Sequence, residues 1–185
     1  MLVAAQMAGG ADITADEADM NWLQQPSEID GSLQIDGSLQ RDGLGVLIPG
    51  CSAAKPEKKW PPERYAELAD MMRNAGHQVV IIGTNTDRVT ADDVLRRAPF
   101  CTDMVGKTDL VTLARTLQSA AMVVGNDTGP TFMAARLGAP TVMVMGPQTN
   151  PEMSAPTGRR CDWVRADAID TINADTVMAA VTALR

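Results

Sequence analysis

From Gly45 to its C-terminus the chain predicts an α/β fold, a Rossmann-like doubly wound parallel sheet. Short apolar runs of strand length alternate there with stretches whose apolar residues recur every three or four positions. Glycine, proline and capping residues mark the junctions between them. Parallel strands joined through helices require right-handed crossovers, which lay helices on both faces of the sheet.

Val46-Leu47-Ile48 reads as the first strand and Pro49 to Lys59 as the polar loop after it. Trp60-Pro61-Pro62-Glu63 opens a helix whose face of Tyr65, Leu68, Ala69 and Met72 keeps the i, i+3, i+4, i+7 spacing, with Trp60 placed to staple onto Tyr65. Gly76 ends that helix, and Val79-Val80-Ile81-Ile82 with Gly83 makes the second strand and its turn. Ala91, Val94, Leu95 and Ala98 mark the next helical face, and Cys101 to Val105 the third strand. Thr108 or Asp109 caps a helix that carries Leu110, Leu113, Ala114 and Leu117 on one side. Ala121 to Val124 forms the fourth strand, Gly125 to Pro130 a tight polar turn, and Thr131 to Leu137 a helix closed by Gly138. Thr141 to Met145 is the fifth strand. An irregular loop, an edge strand at Trp163-Val164 and a last helix complete the chain; Asn173 caps that helix, and Val177, Ala180, Val181 and Leu184 face inward.

Residues 1–44 are acidic, rich in Gly, Ser, Gln and Asp, and show no sustained period, so they read as a linker or the remnant of a preceding domain. Met20, Trp22 and Leu23 are the anchors available to that segment. Ile29 to Gln34 is repeated as Ile35 to Gln40, a local duplication too short for a solenoid.

Across the 185 residues, 16 Lys+Arg stand against 23 Asp+Glu, and the balance of −7 excludes binding of nucleic acid or an anionic membrane through bulk charge. The three cysteines, Cys51, Cys101 and Cys161, are widely spaced and odd in number, which indicates neither a zinc site nor a disulfide framework and suits a reducing cytoplasm. No run reaches the length of a membrane span, and the first residues lack a targeting signal. The 12 methionines fall mostly on core faces.

With the strand order 3-2-1-4-5-6, the first and fourth strands are neighbours at the point where the order reverses, and ligands bind in the crevice there. The loops after those strands are Pro49 to Lys59 and Gly125 to Pro130. The first offers backbone donors at Gly50 and Cys51, the Ser52 hydroxyl, and the ammonium groups of Lys55, Lys58 and Lys59. In the second, Pro130 suits a first helical turn, Asp127 or Thr128 can cap it, and the N–H groups of Gly129, Thr131 and Phe132 point out of the positive helix terminus. Together these favour a diphosphate ligand, where either loop alone would read as a solvated turn. No Gly-x-Gly-x-x-Gly follows the first strand and no Walker lysine motif is present, which removes the main support for NAD or P-loop chemistry. No metal ligand cluster is legible, so no cofactor is expected. His77 lies at the far end of its strand, where a surface or capping role is expected.

Four motifs in register, Pro49-Gly50-Cys51-Ser52, Glu57 to Leu68, Gly106-Lys107-Thr108-Asp109-Leu110 and Gly125 to Pro130, resemble the C-terminal half of glycosyltransferase family 9, the ADP-heptose:lipopolysaccharide heptosyltransferases. The resemblance implies that residues 45–185 are the nucleotide-sugar-binding half of a GT-B architecture. It implies that Lys58, Asp127, Thr128, Gly129 and the adjoining Pro130 surround the donor diphosphate, and that Asp87 and Thr108 lie towards the adenosine. It further implies inverting transfer without a metal, a lipopolysaccharide core acceptor bound by an N-terminal domain, and a cytoplasmic enzyme peripheral to the inner membrane. Phe132 stands where the family usually has His. The acceptor-binding domain and its general base are not in these residues, so the chain alone is expected to be inactive. A non-catalytic nucleotide-sugar-binding module and a vestigial interaction domain are the alternatives.

Overall fold

A computed structural model describes residues 43–51 and 55–185. The expectations for residues 1–42, including the anchors and the hexapeptide repeat, lie outside the described residues, as does Ser52. Six parallel strands, β1 (Leu44–Ile48), β2 (Gln78–Ile81), β3 (Thr102–Asp103), β4 (Met122–Asn126), β5 (Thr141–Met145) and β6 (Cys161–Arg165), form one sheet in the order β3-β2-β1-β4-β5-β6. The order reverses between β1 and β4, paired from Gly45↔Met122 to Ile48↔Gly125. The doubly wound fold is therefore present, with the expected neighbours at its centre.

Alternation along the strands divides the core in two. Leu47, Val79, Ile81, Val124, Val142 and Val144 point to one face. There they meet Tyr65, Leu68 and Met72 of α1 (Pro62–Asn74), Ala91 and Val94 of α2 (Arg88–Arg97), and Val177 and Val181 of α6 (Ala174–Thr182). Val46, Ile48, Val80, Ile82 and Val123 point the other way, against Leu117 of α3 (Leu110–Ser119) and Ala134 of α4 (Gly129–Arg136). The single-turn α5 (Pro151–Ser154) lies within the loop expected to be irregular, with Asn150 accepting the Glu152 N–H.

The third strand is shorter than the run Cys101 to Val105 suggested. Asp103 Oδ1 accepts the outward-facing Val105 N–H at 3.0 Å, while the Met104 and Gly106 N–H groups still donate to the Ile81 and Gly83 carbonyls beyond the two paired residues. Asn173 caps α6 by accepting the Thr176 N–H, and Asp109 caps α3 by accepting that of Thr112. His77 is 5 % exposed and faces Arg185, so it is a buried residue at the amino end of β2 and not a surface one.

Gly125 is needed for close approach. A Cβ there would lie 2.3 Å from Thr131 Oγ1 and 2.9 Å from Ile48 Cβ, so the end of β4 touches both β1 and the first turn of α4. Gly125→Ala is expected to destabilise the domain by about 1–3 kcal/mol through overpacking, read as a lowered urea midpoint at unchanged slope. An unchanged midpoint would mean that the strand and helix move apart freely.

Candidate functional site

The loops after β1 and β4 are fastened together by one buried amide. Asn126, 0 % exposed, accepts the Trp60 N–H and the Tyr65 hydroxyl on Oδ1, each at 3.0 Å. Its Nδ2 donates to the carbonyls of Pro49 at 2.9 Å and Gly50 at 3.2 Å. Every hydrogen-bonding position of the amide is thus engaged. The Tyr65 hydroxyl also lies 3.2 Å from the Ile48 carbonyl, and its ring packs edge-on to Trp60 with centroids 4.9 Å apart. The expected staple is therefore present, although both rings are core members. Burial raises the Tyr65 phenol well above its ordinary range, so it remains a neutral donor.

Lys58 ends a short 3₁₀ turn (Pro56–Lys58), two residues before the anchored Trp60. Its ammonium pairs with Asp127 Oδ2, and the same oxygen accepts the Thr149 hydroxyl at 3.0 Å. Thr149 is 2 % exposed and sits in the loop after β5, where Arg165 Nε approaches its carbonyl at 3.4 Å.

The start of α4 departs from expectation. Thr128 occupies the N-cap position, but neither its side chain nor that of Asp127 caps the helix. The N–H groups of Thr131 and Phe132 both turn back to the Thr128 carbonyl, at 3.0 and 3.2 Å. This tight first turn consumes two of the three donors expected to be free and leaves that of Gly129. Thr131 Oγ1 donates to the Asn126 carbonyl at 2.8 Å, drawing the turn inward.

On the β2 side, Asp87 is 8 % exposed and folds back into its own turn. Its Oδ2 accepts both the N–H and the hydroxyl of Thr84 at 2.8 Å. Gly50 and Gly83 leave the space it fills: a Cβ on Gly50 would lie 2.4 Å from Asp87 Oδ1, and one on Gly83 3.2 Å from Oδ2. Beyond it, Gly106 turns at φ +72 against the Asn85 side chain and donates to the Gly83 carbonyl. Asp103 braces that corner through Arg88 and Lys107. Burial pushes the Asp103 carboxyl up, but the Val105 N–H, Lys107 and Arg88 outweigh it and hold the group below its ordinary value.

These walls enclose a cavity of about 770 Å³. Of the expected site residues, Asp87, Thr108, Asp127, Thr128, Gly129 and Pro130 line it, while Lys58 stands behind Asp127. Ile48, Ile82, Leu110, Leu113 and Phe132 supply an apolar side. Cys51 also lines it, as a thiol raised mainly by burial. Sequence reading missed Asn126, Thr149 and Thr84 as parts of the site. Asn126, in a turn already singled out, was the one with a local signal. Among the described residues no three His, Cys, Asp or Glu side chains come together as metal ligands, and no helix is long and apolar enough to cross a membrane.

The family model for glycosyltransferase family 9 (heptosyltransferase) matches residues 10–177. The chain is 29 % identical over 130 residues to lipooligosaccharide heptosyltransferase 2 of Haemophilus influenzae, covering 66 % of this chain and 37 % of the relative. It is 31 % identical over 126 residues to lipopolysaccharide heptosyltransferase 2 of Salmonella typhimurium, covering 64 % and 36 %. The match thus spans little more than a third of each relative's length. Among solved structures, E. coli ADP-heptose lps heptosyltransferase II superposes with a TM-score of 0.70 at 25 % identity, covering 78 % of this chain and 46 % of that one. An E. coli heptosyltransferase with ADP shares the fold at a TM-score of 0.72 and 21 % identity, over 98 % of this chain and 54 % of that one.

If Asn126 holds the two loops together, Asn126→Ala leaves the Trp60 N–H and two carbonyls unpaired and costs about 3 kcal/mol or more of stability. Tyr65→Phe, which removes one donor from an oxygen that keeps another, costs about 1 kcal/mol. Equal losses for the two variants in urea unfolding would show that the amide is not the hub.

Proposed function

The chain belongs to glycosyltransferase family 9, and on that footing we propose that residues 45–185 form its donor domain, binding the nucleoside diphosphate end of an ADP-sugar such as ADP-heptose. The observation that supports this most is the cavity at the carboxyl ends of β1 and β4, where Lys58 and Asp127 meet the first turn of α4. Its volume is in the range of small-molecule sites, and its lining is of mixed polarity, with hydroxyls, carboxylates and backbone groups beside Ile48, Ile82, Leu110, Leu113 and Phe132. That polarity suits a diphosphate at Lys58 and Gly129 and a nucleoside towards Asp87, Thr108, Leu110 and Leu113. Ser52 stands next to the described part of the first loop and belongs to the same proposal. A structure with this fold, the E. coli heptosyltransferase, is described with ADP.

In the reaction, the diphosphate is the leaving group. Charge develops on it as the glycosidic bond to the donor breaks, and a Lys ammonium with a helix-terminus N–H are groups that stabilise such charge without a metal. Attack by the acceptor hydroxyl from the opposite side inverts the anomeric centre. Asp127 is held by Lys58 and Thr149 beside the leaving group, so it is badly placed to take a proton from an acceptor across the cleft. The base and the lipopolysaccharide core acceptor are assigned to a separate N-terminal domain, to which residues 1–44 would be the link. A cytoplasmic site, peripheral to the inner membrane, follows from that acceptor. The apolar Phe132 on the cavity wall favours the second reading, a module that binds a nucleotide sugar without transferring it.

Calorimetric titration should show ADP binding, with UDP and GDP as controls, and no binding by a folded chain at millimolar ADP would rule the donor reading out. Lys58→Ala should weaken ADP by about 1.5–3 kcal/mol, the worth of a charge-assisted contact, and leave adenosine nearly unchanged. Transfer from ADP-heptose to a lipid A–Kdo acceptor should be absent for the chain alone and appear when a matching N-terminal domain is added. General-base help is worth about 10²–10⁴-fold and acceptor positioning adds to it. Turnover by the chain alone would place the base within these residues.

A further inference from the structure

The proposed donor site has an inverted wall. The charged side chains that line the cavity among the described residues are Asp87, Asp109 and Asp127, all acidic. Lys58 is already paired with Asp127, both side chains being largely buried at 14 % and 11 % exposure, and Lys59 of the same loop donates to the Thr90 hydroxyl. An anionic ligand entering this cavity meets carboxylates first, and the ammonium it needs is held by one of them. Asp127 is fixed independently of Lys58, because the buried Thr149 donates to it from the loop after β5, and Arg165 steadies that loop. Lys58 ends a short turn on a flexible four-carbon stem.

We propose that Asp127 is an internal competitor for Lys58: a diphosphate binds by taking over the ammonium, the abandoned carboxylate stays on Thr149, and re-formation of the Lys58–Asp127 pair helps expel the diphosphate product. This rests on the donor reading and deepens it. Charge is conserved through the exchange, since one carboxylate–ammonium contact is replaced by a phosphate–ammonium contact and no proton need move. The Thr149 hydroxyl lowers the cost of leaving a partly buried carboxylate without its cation. Asp127 thereby limits affinity, a role opposite to that of a residue that merely orients Lys58.

The two roles predict opposite signs. Asp127→Asn removes the competing charge and keeps the shape, so ADP should bind about three- to tenfold more tightly, with adenosine unchanged. Thr149→Val removes the hydroxyl that supports the abandoned carboxylate, so ADP should bind more weakly by a similar factor, and Thr149→Ser should restore the wild-type value. Calorimetry on the full chain with ADP and adenosine reads all three. Weaker or unchanged ADP binding by folded Asp127→Asn would overturn the competitor role while leaving the donor reading intact. Absence of ADP binding in the wild type would overturn both. Should Asp127→Asn fail to fold, Thr149→Val decides alone, and ADP affinity equal to or above that of the wild type would sink the proposal.

Discussion

The Asn126 side chain is the constraint on which the rest of the site depends. Two neighbouring strands in a parallel sheet can present their carboxyl-end loops at many separations, because sheet hydrogen bonds stop where the strands stop. Here the amide continues the joining beyond the sheet, holding Pro49 and Gly50 of one loop and the Trp60 N–H and Tyr65 hydroxyl at the start of α1. A buried amide with all its partners present is costly to disturb in any direction, since each displaced partner becomes an orphan in a low-dielectric interior. The positions of Lys58, two residues before Trp60, and of Asp127, one residue after Asn126, are thereby set together.

The glycines of the site are explained by the same economy of space. Gly50 and Gly83 belong to turns after different strands, and each could pass as ordinary turn chemistry. Their shared reason is Asp87, whose carboxylate occupies the room that a side chain on either would need. Burying that carboxylate is tolerable because Thr84 supplies two donors to one of its oxygens. What looks in sequence like an acid available for a ribose is, in the fold, an acid that first stabilises its own turn.

The fold was legible because its signals are local and mutually consistent. The period of Tyr65, Leu68, Ala69 and Met72, the run Met122 to Val124 and the caps at Asp109 and Asn173 each follow from a few adjacent residues. The third strand is shorter than its apolar run suggested: Asp103 turns forward to the Val105 N–H, and only single N–H contacts from Met104 and Gly106 continue towards β2, details that no period announces. Within the site, Asp127 and Gly129 were legible through their motif. Thr149 was not, because its importance lies in a contact to a residue 22 positions earlier, across a different strand. Nor was the start of α4: a Gly-Pro turn announces free donors, whereas in the fold Thr131 and Phe132 are already turned back on Thr128. A polar residue's partner across the chain has no periodic signature, which is the physical reason that sites are harder to read than layers.

On the donor reading, the spent helix terminus and the paired lysine together explain why a nucleoside should matter to binding. A bare phosphate would have to separate Lys58 from Asp127 and would gain little else, because two of the three first-turn donors are engaged. A nucleotide brings a base and a ribose that can cover Ile82, Leu110 and Leu113, and Leu110, on the cavity wall, is 60 % exposed. Removing that apolar surface from water adds a favourable term that free phosphate lacks. It can offset the cost of opening the ion pair. Selectivity against small anions then comes from the apolar wall acting with the competing carboxylate.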